Sequence, residues 1–117
     1  NRAKVNRTAA DMRAIGTALG SFNVDWNYFP VHTGDWNLEL INNNDQGWVY
    51  YESTTKDAWG TPFYYDCKDG TWDDNGYSGY TLISYGKDRK PGGNTEFDSD
   101  IIYVNGSFIR PESVIRR

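Results

Sequence analysis

Several common roles are closed to this sequence by what it has little of. Its 117 residues include one cysteine, Cys67, and one histidine, His32. A lone cysteine forms no intrachain disulfide, so any loop that must be held needs another tie, and cysteine pairing gives no indication of the compartment. A lone histidine without a metal-spaced partner leaves no H-E-x-x-H zinc site, and neither a G-x-S-x-G nucleophile turn nor a phosphate-binding loop occurs. No stretch approaches the ~20 consecutive apolar residues of a membrane span. Positive charge is also in short supply: the net charge of -4 and pI near 4.8 leave no electrostatic footprint for a nucleic-acid partner. Leucine, isoleucine and valine are sparse, so the 9 Tyr, 5 Trp and 5 Phe must supply much of the apolar area. The expected core is therefore aromatic and partly wet at its edges.

The chain begins inside a helical pattern and without Met, so a natural start further upstream is expected. From Val5, apolar or small residues fall at Thr8, Met12, Ile15, Leu19, Phe22 and Trp26. Spacings of three and four lay one stripe along a helix, predicted over about Arg2 to Trp26. Such a helix is ~37 Å long, about the width of a domain of this size. Its basic start, Arg2, Lys4 and Arg7, is expected to project, because the first two turns are too polar for core. Gly16 and Gly20 form a G-x-x-x-G, a weak signal outside a membrane span. Pro30 pushes the preceding residue out of the helical region and ends the helix. Thr33 to Tyr51 reads as an irregular excursion with a short helical turn at Trp36 to Ile41. Its aromatics, Trp36, Trp48, Tyr50 and Tyr51, suit either packing onto a small core or a sugar-binding surface.

Strands are predicted at Phe63 to Tyr65, Tyr80 to Tyr85, Ile101 to Val104 and Ser107 to Ile109. Asp69-Gly70 offers a hairpin turn, and Asn105-Gly106 is the strongest hairpin signal in the chain. One long helix, then a loop region, then a run of strands indicates a single α+β domain over residues 1–117 with a small antiparallel sheet.

Between the second and third predicted strands lies SYGKDRKPGGNTEFDSDI, with Pro91, Gly92 and Gly93 turning the chain and carboxylates at its edges. Asp88 follows one strand; Glu96, Asp98 and Asp100 precede the other. Asp98 and Asp100 share a face if the segment is extended. Two carboxylates ~6 Å apart repel by roughly 3 kcal/mol at an effective dielectric of about 20, a cost that a cation removes. Oxygen donors without His or Cys suit calcium, although the EF-hand order is absent. The plainer alternative is a solvated acidic loop offset by Lys87, Arg89 and Lys90.

An amphipathic helix ending in Asn-Tyr-Phe-Pro, followed by D-A-W-G-T-P-F-Y-Y, Y-T-L-I-S-Y-G-K-D, P-G-G and D-S-D-I, resembles the major pseudopilins of type II secretion systems within the type IV pilin-like superfamily. The likeness spans about Val5 to Ile102. It implies a pilin-like fold and a subunit whose hydrophobic N-terminal segment, missing from this sequence, anchors it in the bacterial inner membrane with this domain in the periplasm. It also implies self-association into a helical filament, contact with minor pseudopilins and the inner-membrane assembly platform, and no nucleic-acid partner. The resemblance further implies a structural calcium ion held by the Tyr85 carbonyl, Asp88, Asp98 and Asp100. A backbone carbonyl near Gly93 or Thr95 completes the shell, and Glu96 is a substitute acid. Arg89 stands where glycine is usual in the family. The expected role is assembly rather than catalysis: a filament that drives protein export, with calcium tying the loop as a disulfide does in many pilins. Alternatives are a type IV pilin or competence-type filament subunit and, from another class, a calcium-dependent carbohydrate-binding domain. A glycosidase carboxylate pair is the weakest reading.

Overall fold

The computed structural model describes residues 2–68, 79–87, 89 and 100–110. A 25-residue helix, α1 (Arg2–Trp26), is followed by β1 (His32–Asp35), a short helix α2 (Glu39–Asn42), β2 (Tyr64–Cys67), β3 (Thr81–Ser84), β4 (Ile101–Val104) and β5 (Ser107–Arg110). The five strands form one antiparallel sheet in the order β1-β2-β3-β4-β5. Each strand thus pairs with its sequence neighbours. This is the α+β arrangement that the order of elements implies.

The stripe on α1 is buried as its spacing requires, with Met12, Ile15 and Leu19 fully enclosed. The core lies between that stripe and one sheet face, where Tyr65, Leu82, Ile101 and Tyr103 are buried. Alternation along the strands places Tyr64, Ile83 and Ile102, which pair in register, on the other, half-buried face. Aromatic rings fill the core: Tyr65 lies against Trp36 at 5.3 Å and Tyr80 at 5.9 Å, and Tyr80 against Phe29 at 5.0 Å. The Tyr65 hydroxyl donates to the Pro30 carbonyl at 2.7 Å. That bond satisfies the one polar atom of a fully buried ring.

The helix start differs from expectation. Val5, Thr8 and Ala9 are buried, so packing begins in the first two turns, although Arg2, Lys4 and Arg7 are exposed. Their cover includes the 54–63 turn, whose Ala58 amide donates to the Thr8 hydroxyl at 3.1 Å. A buried threonine is acceptable once its oxygen has this partner. Gly16 has a packing role as well. A Cβ there would lie 2.5 Å from both the Cε1 and the hydroxyl oxygen of Tyr103, whereas Gly20 has nothing within 4 Å. The G-x-x-x-G is therefore one close approach to β4 and one exposed position.

Strand β1 was not expected, and it closes one edge of the sheet by pairing with β2 from His32↔Cys67 to Asp35↔Tyr64. The short helix starts at Glu39 rather than near Trp36. Trp36 is instead tied to the sheet, its amide donating to the Phe63 carbonyl at 2.7 Å. Strand β2 is displaced towards the C-terminus because the Phe63 amide is committed to the Thr55 carbonyl at 3.1 Å. The β4–β5 hairpin follows its sequence signal. Asn105 (φ 50°) and Gly106 (φ 98°) both take positive φ, as a type I′ turn needs, and the Asn105 side chain accepts from the Tyr80 amide at 2.8 Å. The Asp69-Gly70 turn lies outside the described residues.

Of the four aromatics considered for a sugar surface, Trp36 and Tyr51 are buried in the core. Trp48 is half exposed and packs on Trp26 at 5.6 Å. The excursion is held by asparagines acting in place of backbone. The Asn42 oxygen accepts from the Tyr50 amide at 2.8 Å and its nitrogen donates to the Tyr51 carbonyl at 2.7 Å. Asn44 binds the Trp48 carbonyl and amide at 2.8 and 3.0 Å. Core packing, not a sugar-binding platform, accounts for most of this aromatic content.

Candidate functional site

Residues 85–100 connect β3 to β4. The last described pair of that ladder is Ser84↔Ile101, so antiparallel geometry sets Tyr85 and Asp100 side by side where the two strands part. Burial, foremost, raises the Tyr85 hydroxyl above the ordinary tyrosine pKa, and Tyr64, Asp100 and Asp35 add to the shift. The Tyr64 ring lies 6.3 Å from that of Tyr85 between centroids. Two of the five expected calcium ligands, Tyr85 and Asp100, are therefore brought together. Asp88, Thr95 and Asp98 lie outside the described residues, as do Gly93 and the substitute Glu96. Among the described residues no group of three or more His, Cys, Asp or Glu side chains is placed to hold a metal. The two that meet are oxygen donors at the ends of the β3–β4 connection, a donor chemistry that fits calcium. Just inside the mouth of that connection, Arg89 takes φ 61° and its amide donates to the Gly86 carbonyl at 3.2 Å. The chain thus adopts at Arg89 the left-handed conformation that glycine takes without steric cost.

A residue that sequence reasoning passed over supports the mouth from below. Asp57, 4% exposed, opens the D-A-W-G-T-P turn. Its Oδ1 accepts from the amides of Trp59 at 3.0 Å and Thr61 at 2.9 Å, and its Oδ2 accepts from the Ser84 hydroxyl at 2.7 Å. The Ser84 oxygen in turn accepts from the Gly86 amide at 3.4 Å. This chain of bonds links the turn covering the start of α1 to the first residues of the loop. An acid three residues before a glycine is an Asx-turn signal, which could have drawn attention to Asp57; its contact with Ser84 has no signal in sequence.

Among the described residues, His32 enters no metal-holding cluster. Its Nε2 lies 3.1 Å from the Asp35 carbonyl within its own strand. Cys67 is buried.

A long amphipathic helix laid on a meander of short antiparallel strands defines a pilin-like structural subunit. No curated protein sequence gives a significant match. A family model for protein G of the type II secretion system (T2SS) matches residues 1–103, and the chain belongs to that family. The match ends within β4; the Asn105-Gly106 turn and β5 follow it. Membership carries a structural role in a secretion pseudopilus and not an enzymatic one.

Proposed function

We propose that this chain polymerises into the periplasmic pseudopilus filament of a type II secretion system and that calcium in the β3–β4 loop fixes the surface its neighbours dock on. The observation that carries the calcium reading is the meeting of Tyr85 and Asp100 at the loop mouth, together with the acids supplied by the rest of the loop sequence. The Tyr85 carbonyl and Asp100 would hold the ion with Asp88, Asp98 and the Thr95 carbonyl. The ion would neutralise the crowded carboxylates and close the loop without a covalent link. Partners under this reading are other copies, minor pseudopilins and the inner-membrane assembly platform. No helix among the described residues is long and apolar enough to cross a membrane.

Thermal unfolding with calcium, with magnesium and with a chelator tests the ion. Calcium at one hundred times its dissociation constant should add about 2.7 kcal/mol, or roughly 11 °C at about 4 °C per kcal/mol for a domain of this size. Asp100→Ala should abolish the gain. Equal melting temperatures in all three conditions would remove calcium from the proposal and leave the family role standing.

A further inference from the structure

The far end of α1 carries a feature that neither the loop nor the family role uses. Phe22, Trp26, Tyr28, Asn43, Asn44 and Asp45 line an open pocket of about 170 Å³. Much of its polar lining is already engaged within the chain. The Trp26 indole donates to the Tyr50 hydroxyl at 2.9 Å, that hydroxyl donates to Asp25 at 2.7 Å, and both ends of the Asn44 amide are spent on Trp48. Phe22 and Trp26 already pack on Tyr50 and Trp48, so the partly exposed Tyr28 ring and the exposed Asp45 carboxylate are what the pocket offers a ligand. Aromatic faces beside a carboxylate attract a cation, and the small volume suits one ammonium or guanidinium head.

The distribution of charge says where such a cation comes from. No lysine or arginine occurs between Arg13 and Lys56, a stretch that holds Asp25, Asp35, Glu39, Asp45 and Glu52. The first thirteen residues carry Arg2, Lys4, Arg7 and Arg13 against Asp11 alone. The start of α1 is thus rich in basic side chains, while Asp25 and Asp45 lie at its end. The domain already places one arginine on a ring, Arg13 over Phe108 at 4.9 Å. The start and end of one helix cannot meet, since residues 7 and 26 are ~28 Å apart along its axis. A second copy can bring them together. Joining unlike ends of identical subunits gives a heterologous contact, the kind that propagates as an open helical filament.

We infer that the pocket receives a basic side chain, Lys4 or Arg7, from the start of α1 in a second copy, so that subunits join head to tail. The inference rests on the pseudopilus reading and names the contact within it. Its test uses the full-length protein in secreting cells, with Asp45→Cys combined in turn with Arg7→Cys or Lys4→Cys. A disulfide requires Cα atoms within ~7 Å, which the length of α1 forbids inside one chain, and Cys67 is buried. A ladder of covalent oligomers on a non-reducing gel is expected from at least one pair and from neither Asp45→Cys nor its partner alone. Filaments without a ladder from either pair would overturn the inference and spare the pseudopilus reading. Absence of filaments from the unmodified protein would overturn both. As an independent measure, Asp45→Arg should lower filament yield at least tenfold, and adding Arg7→Asp should restore it. Wild-type yield with Asp45→Arg alone would also overturn the inference. Titration of this domain with N-acetyl-arginine amide should move the Trp26 indole resonance while glucose should not, and the reverse would make the pocket a sugar subsite instead.

Discussion

Replacing Asp57 tests whether the loop mouth is supported by a hydrogen-bond template. Its carboxylate accepts from two backbone amides and the Ser84 hydroxyl, all at 3.0 Å or less, in a site with almost no solvent access. Hydrogen bonds to a charged group contribute about 1.5–3 kcal/mol each, so three amount to roughly 5–9 kcal/mol gross. Against this stands the cost of dehydrating a carboxylate, several kcal/mol. Asp57→Ala gives up both, leaves three donors unserved, and should cost about 3 kcal/mol net. At about 4 °C per kcal/mol the melting temperature should fall by roughly 12 °C. Asp57→Asn keeps the shape and the acceptor for the two amides, and the Ser84 hydroxyl can turn to accept from the new amide. Its expected cost is about 1 kcal/mol. Urea unfolding followed by tryptophan fluorescence, with Trp59 two residues away, measures both variants. A loss below about 1 kcal/mol for Ala would refute the template, since no buried acceptor of three bonds should be removed so cheaply. Equal losses for Asn and Ala would show that the charge, not the bonding pattern, is what matters.

Gly16→Ala should destabilise by about 1–3 kcal/mol through overlap with Tyr103, whereas Gly20→Ala should stabilise by up to about 1 kcal/mol through helix propensity; thermal melts of the pair give opposite signs if the packing is as described. Asn105→Ala removes both a side chain that tolerates positive φ and the acceptor for the Tyr80 amide, and a loss of about 2 kcal/mol is expected in denaturant unfolding. The hydroxyls of Tyr65 and Tyr80 are raised above the ordinary tyrosine pKa by burial first, with Cys67 and then Tyr80 adding at Tyr65 and Tyr103 adding at Tyr80. Raised folded-state values mean that their contribution is complete below pH ~10 and is lost as the unfolded chain ionises above it. Stability should therefore fall by about 1.4 kcal/mol per pH unit for each ring, and a flat stability curve between pH 10 and 11 would contradict the burial of both.

The helix was legible because its signal is periodic and long, and the Asn105-Gly106 hairpin because its turn chemistry is local. What escaped sequence reading depends on partners distant in the chain. The first two turns of α1 look too polar for core, and Thr8 is made acceptable there by an amide fifty residues away. Strand β1 reads His-Thr-Gly-Asp, with neither alternation nor a β-branched run, and forms because β2 offers a free edge. At the site, Tyr85 and Asp100 were reached through family resemblance, and strand register then sets them side by side. Asp57 was passed over because a lone acid in a turn is ordinary, and only burial and the Ser84 contact mark it out.

Side-chain hydrogen bonds near both ends of α1 also bear on how the domain transmits force. Thr8 is bonded to Ala58 near one end, and Asp25 and Trp26 are bonded to Tyr50 at the other, seventeen residues or ~26 Å apart. A pull along the helix axis cannot peel these attachments away one after another. A slip of one helical turn, ~5.4 Å, would break both together and drag Gly16 out of register with Tyr103. The helix is thus loaded in shear, as a strut riveted at both ends, and a thrust applied to it reaches the whole domain at once.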